Sequence, residues 1–373
     1  MNYPTIKLWE ILEFIRNWKS CKQNKESFWD KITRIETISD WTINENRVWF
    51  FELTDEDKEK YRIKEWDILF SHINSVEHIW KIAIAEKNYD DLYHWMNLLL
   101  LRCDKSKIYP KFLYVVLNNY FIKWYWEKVC QKAINQASLN QWKIIEIEIP
   151  LPPLETQKAI VAKLDQIFAE LDQTKSEIQK NLDNTDELWK SSLNQAFQGD
   201  WEVKKISEVV NSIWSWRSRE RHDAWKYPIY WSTWIISRTD DFVYDKTQIL
   251  IARVGANAWF VHIAEWKYDV SDNTLIVDLK NSVDLNYMYY ELLSMNLNQY
   301  TNWWGQPLIT ATQIKNLEIS VPPLSEQEKI VEHLDQVSQE VKQLKSEYQS
   351  QLDNLEELKK SVLDKAFRWE LGE

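Results

Sequence analysis

The segment PPLETQKAIVAKLDQIFAELDQTKSEIQKNLDNTDELWKSSLNQAFQGD, residues 152–200, returns 170 residues later as PPLSEQEKIVEHLDQVSQEVKQLKSEYQSQLDNLEELKKSVLDKAFRWE, residues 322–370. No gap is needed, and about half of the positions are identical. Self-similarity at a fixed offset is read first because it decides how many units a chain contains. Each copy follows a strand-like run, IIEIEIP or NLEISVP, which Pro-Pro-Leu stops before the pattern turns helical. In the second copy Ser325 and Glu328 stand at capping-box spacing, which places the helix start there. Apolar residues then recur at alternating steps of three and four. They are Leu164, Ile167, Leu171, Ile178 and Leu182 in the first copy, and Leu334, Val337, Val341, Leu344, Tyr348, Leu352 and Leu355 in the second. A helix of about 40 residues is roughly 60 Å long. Two copies of one apolar stripe bury each other most economically as an antiparallel coiled coil.

Working outward, the repeat divides 373 residues into a globular domain over 1–150, a long helix over 151–199, a second globular domain over 200–320 and a second long helix over 321–373. The domains echo each other: WDILFSHINSVEHIWKIAIAE resembles TQILIARVGANAWFVHIAE. Each mixes β-branched strand-like runs with one amphipathic helix, KFLYVVLNNYF or NYMYYELLSMN. The expected fold class is α+β, two similar domains separated by paired helices in a pseudo-twofold repeat.

Composition bounds the function. No run of eighteen apolar residues is present, and MNYPTIKLWEILEF lacks the basic start and small-residue cleavage site of a signal peptide. A cytoplasmic protein with no membrane association is expected. Cys21, Cys103 and Cys130 are far apart and form neither a disulfide framework nor a zinc site. The unusual feature is 4 Gly against 23 Trp. Turns need the positive φ that glycine supplies, so so few glycines could hardly serve a chain of this length. The repeat pairs Gly199 with Trp369, and EWDIL, KYPIYWSTWII and TNWWGQP all carry Trp where a turn asks for glycine. Trp214, Trp216, Trp225, Trp231 and Trp234 belong to the same pattern. A codon read as glycine but translated as tryptophan produces this pattern, as with UGA in some bacterial lineages. Trp49 and Trp201 read as native tryptophans.

The layout, with PLPPLETQKAIVAKLD and SVPPLSEQEKIVEHLD opening the helices and AFQGD and AFRWE closing them, resembles the DNA-specificity subunit of type I restriction-modification systems. EWDILFSHIN, YHWMNLLLL, NQASLN, KYPIYWSTWII and GQPLIT resemble that family's target-recognition motifs when Trp is read as Gly. The resemblance covers essentially the whole chain. It implies that each globular domain reads one half of a split site in double-stranded DNA and that the helices act as a spacer. It also implies a chain with no catalytic activity that docks two methyltransferase subunits on its helices and works with restriction subunits. No cofactor is expected on this chain; S-adenosylmethionine, ATP and Mg are expected on the partners.

The net charge of −11 runs against phosphate contact at first sight. The acidity is local, however: residues 151–200 hold nine acidic and five basic side chains, and residues 321–373 hold twelve and seven. The rest of the chain is close to neutral. Arg217, Arg219, Arg221, His222 and Lys226 concentrate charge in one expected loop, with Arg238 and Arg253 near the strands that flank it. Arginine can neutralise phosphate or grip guanine through two donors. The counterpart in the first domain is Lys19, Lys22, Lys25 and Arg34, followed by Thr42 and Asn44. Gln136, Asn140, Gln306 and Thr310 sit in the paired motifs before the helices. Each of these is a candidate DNA contact.

Catalytic motifs are missing. There is no Asn/Asp-Pro-Pro-aromatic motif, no glycine-rich adenosylmethionine loop even after glycine is restored, no phosphate loop and no H-E-x-x-H. His72 and His78 read as polar loop residues, and Asp240 and Asp241 as turn residues. Two other readings stay open: a coiled-coil scaffold that does not read DNA, and a carbohydrate-binding protein built on its tryptophans. The first gives no sequence-dependent response to duplex DNA, and the second requires the tryptophans to be native.

Overall fold

The computed structural model describes residues 3–17, 29–74, 79–122, 130–133, 136–215, 226–231, 234–255, 258–300 and 308–367. Their α-helices, in chain order, are α1 (Asp55–Tyr61), α2 (Pro110–Ile122), α3 (Gln141–Ile145), α4 (Leu154–Ala196), α5 (Ile206–Val209), α6 (Leu285–Ser294), α7 (Ala311–Lys315) and α8 (Leu324–Phe367). The chain divides into two compact units, Met1–Ser176 with Leu352–Glu373, and Glu177–Gln351. Each unit therefore takes one part of α4 and one part of α8.

In the first unit an antiparallel sheet runs in the order Leu12–Arg16, Leu98–Cys103, Ile68–Ser71, Ile82–Ile84. Side chains alternate across a strand, so one face carries Ile68, Phe70, Leu99 and Leu101 against Phe112, Leu113, Val116 and Leu117 of α2. The other face carries Leu69, Leu98 and Leu100 against Ile38, Ile63 and Leu92. A sheet covered on both sides explains why LLLL at 98–101 shows no apolar-polar alternation. Asp67, just before the central strand, is 1% exposed and holds Arg102 through two bonds of 2.7 and 2.6 Å.

The second unit repeats this plan. Its sheet order is Val210–Ser215, Thr274–Leu279, Gln248–Ala252, Val261–Ala264. Ile249, Ile251, Leu275 and Val277 meet Tyr287, Met288 and Leu292 of α6, while Leu250 and Ile276 meet Tyr268 and Val270. A short antiparallel pair ties each unit's ends together. Thr5–Lys7 joins Glu148–Pro150 in the first, and Val203–Lys205 joins Glu318–Ser320 in the second. The α+β expectation and its internal repeat hold within each unit.

The long helices also pack within each unit. In the first, Leu164 of α4 clusters with Val115 of α2 and with Val362, Leu363 and Ala366 of α8, and Lys175 pairs with Glu356 at 2.6 Å. In the second, Leu193 of α4 clusters with Tyr290 of α6 and Leu334 of α8, and Lys345 pairs with Asp186. The start of α8 differs from the expected one. Leu324 is already helical, and the Pro323 carbonyl accepts from Glu326 and Gln327, so Ser325 lies inside the first turn and does not cap it. Proline fits this place because the opening turn needs no N–H from it.

Seven described residues other than glycine have positive φ: Trp41 (64°), Trp66 (73°), Trp80 (71°), Asn97 (69°), Trp259 (110°), Trp266 (66°) and Asn296 (45°). Asparagine tolerates that region; a bulky tryptophan does not. Trp80 and Trp259 hold matching places in the two units. Trp80 N donates to Ser71 O at 2.8 Å and Trp259 N to Ala252 O at 2.9 Å, each turning one sheet strand into the next. Trp214, Trp231 and Trp234 lie in strands. Trp216, Trp225, Trp303 and Trp304 lie outside the described residues.

Candidate nucleic-acid interface

Each sheet has one corner where its first strand ends and a basic stretch of sequence follows. In the second unit the strand Val210–Ser215 ends beside Arg253, whose Nη1 donates to Ser215 Oγ at 3.5 Å. Arg253 is fixed through its backbone, where its N donates to Asn273 O and its O accepts from Ile309 N, both at 2.9 Å. In the first unit His72 occupies the matching place. Its O accepts from Leu139 N at 2.8 Å, and its Nε2 lies 3.2 Å from Asn17 Nδ2, at the end of the strand Leu12–Arg16. Past Asn17 come Lys19, Lys22 and Lys25; past Ser215 come Arg217, Arg219, Arg221 and His222. Those seven residues lie outside the described ones, as do His78 and Gln306.

In the second unit Lys226 is exposed and stands 5.6 Å from the Tyr227 ring centroid. Tyr227–Trp231 then pairs with Trp234–Thr239 and puts Arg238, also exposed, opposite Pro228. Tyr227 meets Phe242 edge-on at 5.1 Å, and Lys267 sits 4.5 Å over Phe242. This basic and aromatic surface was not assembled by sequence reasoning. Its members come from three separate segments, and only the hairpin brings them together.

In the first unit Arg34 precedes a 3-10 turn at Ile35–Ile38, and its guanidinium lies 5.0 Å from the Trp49 ring. Thr42 is exposed, and Asn44 Oδ1 accepts from Asn46 N at 3.0 Å in a local turn. Gln136 belongs to the strand Gln136–Leu139. Asn140 accepts from Trp142 N at 2.9 Å, and Thr310 from Gln313 N at 3.2 Å, so each caps a short helix, α3 or α7. The paired motifs thus spend at least part of their polarity on structure.

His72 differs from the polar loop residue expected of it. It is 5% exposed, and burial lowers its pKa to about 4. His94 is fully buried, and burial, followed by the nearby His72, lowers its pKa to about 3. Depressed imidazole pKa values favour the neutral form in the fold. The stability involved is present above 6.5 and is lost as pH falls through about 4 and 3. Imidazole NMR signals of His72 and His94 are accordingly expected to remain those of the neutral ring at pH 5; titration of either near 6.5 would contradict their burial. Asp240 and Asp241 are exposed bend residues, as expected. No group of three or more His, Cys, Asp or Glu able to hold a metal occurs among the described residues, and no described helix is long and apolar enough to cross a membrane.

The family model for the type I restriction modification DNA specificity domain matches residues 2–188 and 198–354. A Methanocaldococcus jannaschii protein assigned as the type I restriction enzyme MjaX specificity subunit is 31% identical, over 96% of this chain and 91% of its own length. The EcoKI specificity subunit of Escherichia coli is 23% identical over 51% of this chain and 41% of its own length. Among solved structures, a chain from a study of complex assembly and conformational transition of the type I restriction-modification system superposes with a TM-score of 0.79. The match covers 99% of this chain and 98% of that one at 19% identity, a likeness of fold. The HsdS subunit of Thermoanaerobacter tengcongensis gives 0.61, covering 99% and 97% at 18% identity.

Proposed function

The chain belongs to the type I restriction modification DNA specificity family, and from that premise we propose that it is a non-catalytic subunit that selects a bipartite DNA target. Each unit reads one half-site through its basic corner, and α4 and α8, paired as one antiparallel coiled coil, set the gap. Two methyltransferase subunits dock on the helices, and restriction subunits complete the complex. S-adenosylmethionine, ATP and Mg belong to those partners, and the assembly acts on DNA in the cytoplasm.

One observation carries this reading. Equivalent sheet corners, with His72 beside Asn17 and Arg253 beside Ser215, each lead directly into a basic segment. Duplicated corners that each lead into basic sequence suit two half-sites, because phosphate contact needs Lys and Arg and base readout needs their donors. Helix pairing is supported by ion pairs in which the α4 number rises as the α8 number falls: Asp172 with Lys359 at 3.7 Å, Lys175 with Glu356 at 2.6 Å, and Asp186 with Lys345. Selection from a pool of random duplexes by the chain together with its methyltransferase subunits tests the proposal. Enrichment of a two-part motif with a fixed gap is expected, and a non-DNA scaffold enriches nothing.

We further propose that tryptophans at positive φ stand at glycine positions of the native protein. Five tryptophans among seven such residues support this, as does the match of Trp80 with Trp259. Peptide mass analysis of the protein from its source organism should return glycine masses at Trp41, Trp66, Trp80, Trp259 and Trp266. Tryptophan masses there would end the idea.

A further inference from the structure

Two side chains of the repeat that neither the apolar stripes nor the basic corners account for are Gln157 and Gln327. Both are fully buried, and both lie in the first turn of a long helix. A buried amide is costly unless its donors and acceptor are used. Gln157 Nε2 donates to Pro152 O at 2.8 Å and to Lys107 O at 3.5 Å, and its Oε1 accepts from Tyr109 N at 2.8 Å. Gln327 Nε2 donates to Pro322 O at 2.8 Å and to Ser282 O at 3.2 Å, and its Oε1 accepts from Asp284 N at 2.7 Å.

The partners have the same meaning in both units. Pro152 and Pro322 follow the last strand of the globular part. Tyr109 immediately precedes α2, and Asp284 is the N-cap of α6. One amide therefore joins the exit strand, the approach loop and the start of the domain's own helix to the base of the long helix. Three bonds from one planar group hold direction as well as distance. The same helices also meet their domains through apolar contacts, such as Val161 in the first core, which resist separation more than rotation, and through a polar pair each farther along the helix, Asp165 with Lys111 at 3.6 Å and Asp335 with Tyr290 at 2.5 Å.

We propose that Gln157 and Gln327 are positioning residues that fix the angle between each recognition domain and its long helix, and thereby the gap accepted between half-sites. The inference rests on the functional reading above. One base pair more or less changes the separation of half-sites by about 3.4 Å and rotates one against the other by roughly 35°. Refusing the wrong gap thus needs angular stiffness at the base of each domain, where the glutamines lie.

The test uses the full complex of this chain with its methyltransferase subunits. Gln157→Met and Gln327→Met keep side-chain length and remove all three bonds; Gln157→Glu keeps the acceptor and loses both donors. Methylation is read on duplexes carrying the selected half-sites at the parent gap and at one base pair more or less. Each variant is expected to reduce the preference for the parent gap over its neighbours by tenfold or more while the half-site sequences stay the same. A purely structural role lowers modification at all gaps in proportion, and that result, or an unchanged preference, overturns the proposal. Should a methionine variant fail to fold, Gln157→Glu decides by the same readout. A parent complex with no gap preference at all sinks the functional reading itself, whereas a selective parent with equally selective variants sinks only the role of the glutamines.

Discussion

Inserting one heptad after Gln179 of α4 together with one after Gln351 of α8 is expected to lengthen the gap in the DNA target and leave both half-sites unchanged. Seven helical residues add about 10 Å, which corresponds to roughly three base pairs of duplex. In the proposed coiled coil the insertions must be made together to keep both stripes in register: Ile178 and Val341 are buried, and Leu182, Leu344, Tyr348 and Leu352 are half-buried. A seven-residue insertion preserves the stripe, since apolar positions recur at that interval. A heptad in α4 alone shifts Asp186 away from Lys345 and should cost stability without giving a clean new gap. Sequencing the bases modified by the variant complex measures the outcome, and a new half-site with an old gap contradicts the spacer.

Replacing Trp266 or Trp66 by glycine is expected to stabilise the protein, while Trp49→Gly destabilises it. Trp266 is 70% exposed at φ 66°, so little packing is lost, and relief of the left-handed conformation is worth about 1–2 kcal/mol. In a unit of this size that is an increase of roughly 2–8 °C in Tm. Trp66 stands at φ 73° in a turn where its N donates to Ala85 O at 2.7 Å. Trp49 is in an extended strand paired with Ile32 and donates from Nε1 to Glu36 at 2.7 Å, so glycine there loses packing and a bond. Thermal unfolding of the three variants separates the cases by sign. Destabilisation by Trp266→Gly would contradict a glycine site.

What could be read in advance follows from how local each signal is. The stripes were legible because periodicity is a property of one helix, and all twelve named positions, Leu164 to Leu355, are buried or half-buried. The repeat gave the matching strands because DILFS and QILIA carry their apolar runs in themselves. Misread positions turn either on competition between adjacent residues or on neighbours distant in sequence. Ser325 had the right spacing for a cap, but the carbonyl of Pro323 already opens the helix. His72 looked polar and loop-like, yet it packs beside Asn17, 55 residues away. Asn140 and Thr310 were legible as polar motif residues but not as caps, because α3 and α7 are only five residues long. Gln157 and Gln327 gave only the weak signal of standing five residues after Pro152 and Pro322 in both copies.

The claim that two units each read one half of a DNA target is tested most directly by exchanging one of them. Residues 200–320 are replaced by the corresponding segment of another family member whose target is known, and the bases modified by the complex are mapped. The account predicts a hybrid target: one half-site from the donor, the other from the parent, and the parent gap. Modification at an unchanged target, or a change in both half-sites at once, would contradict it.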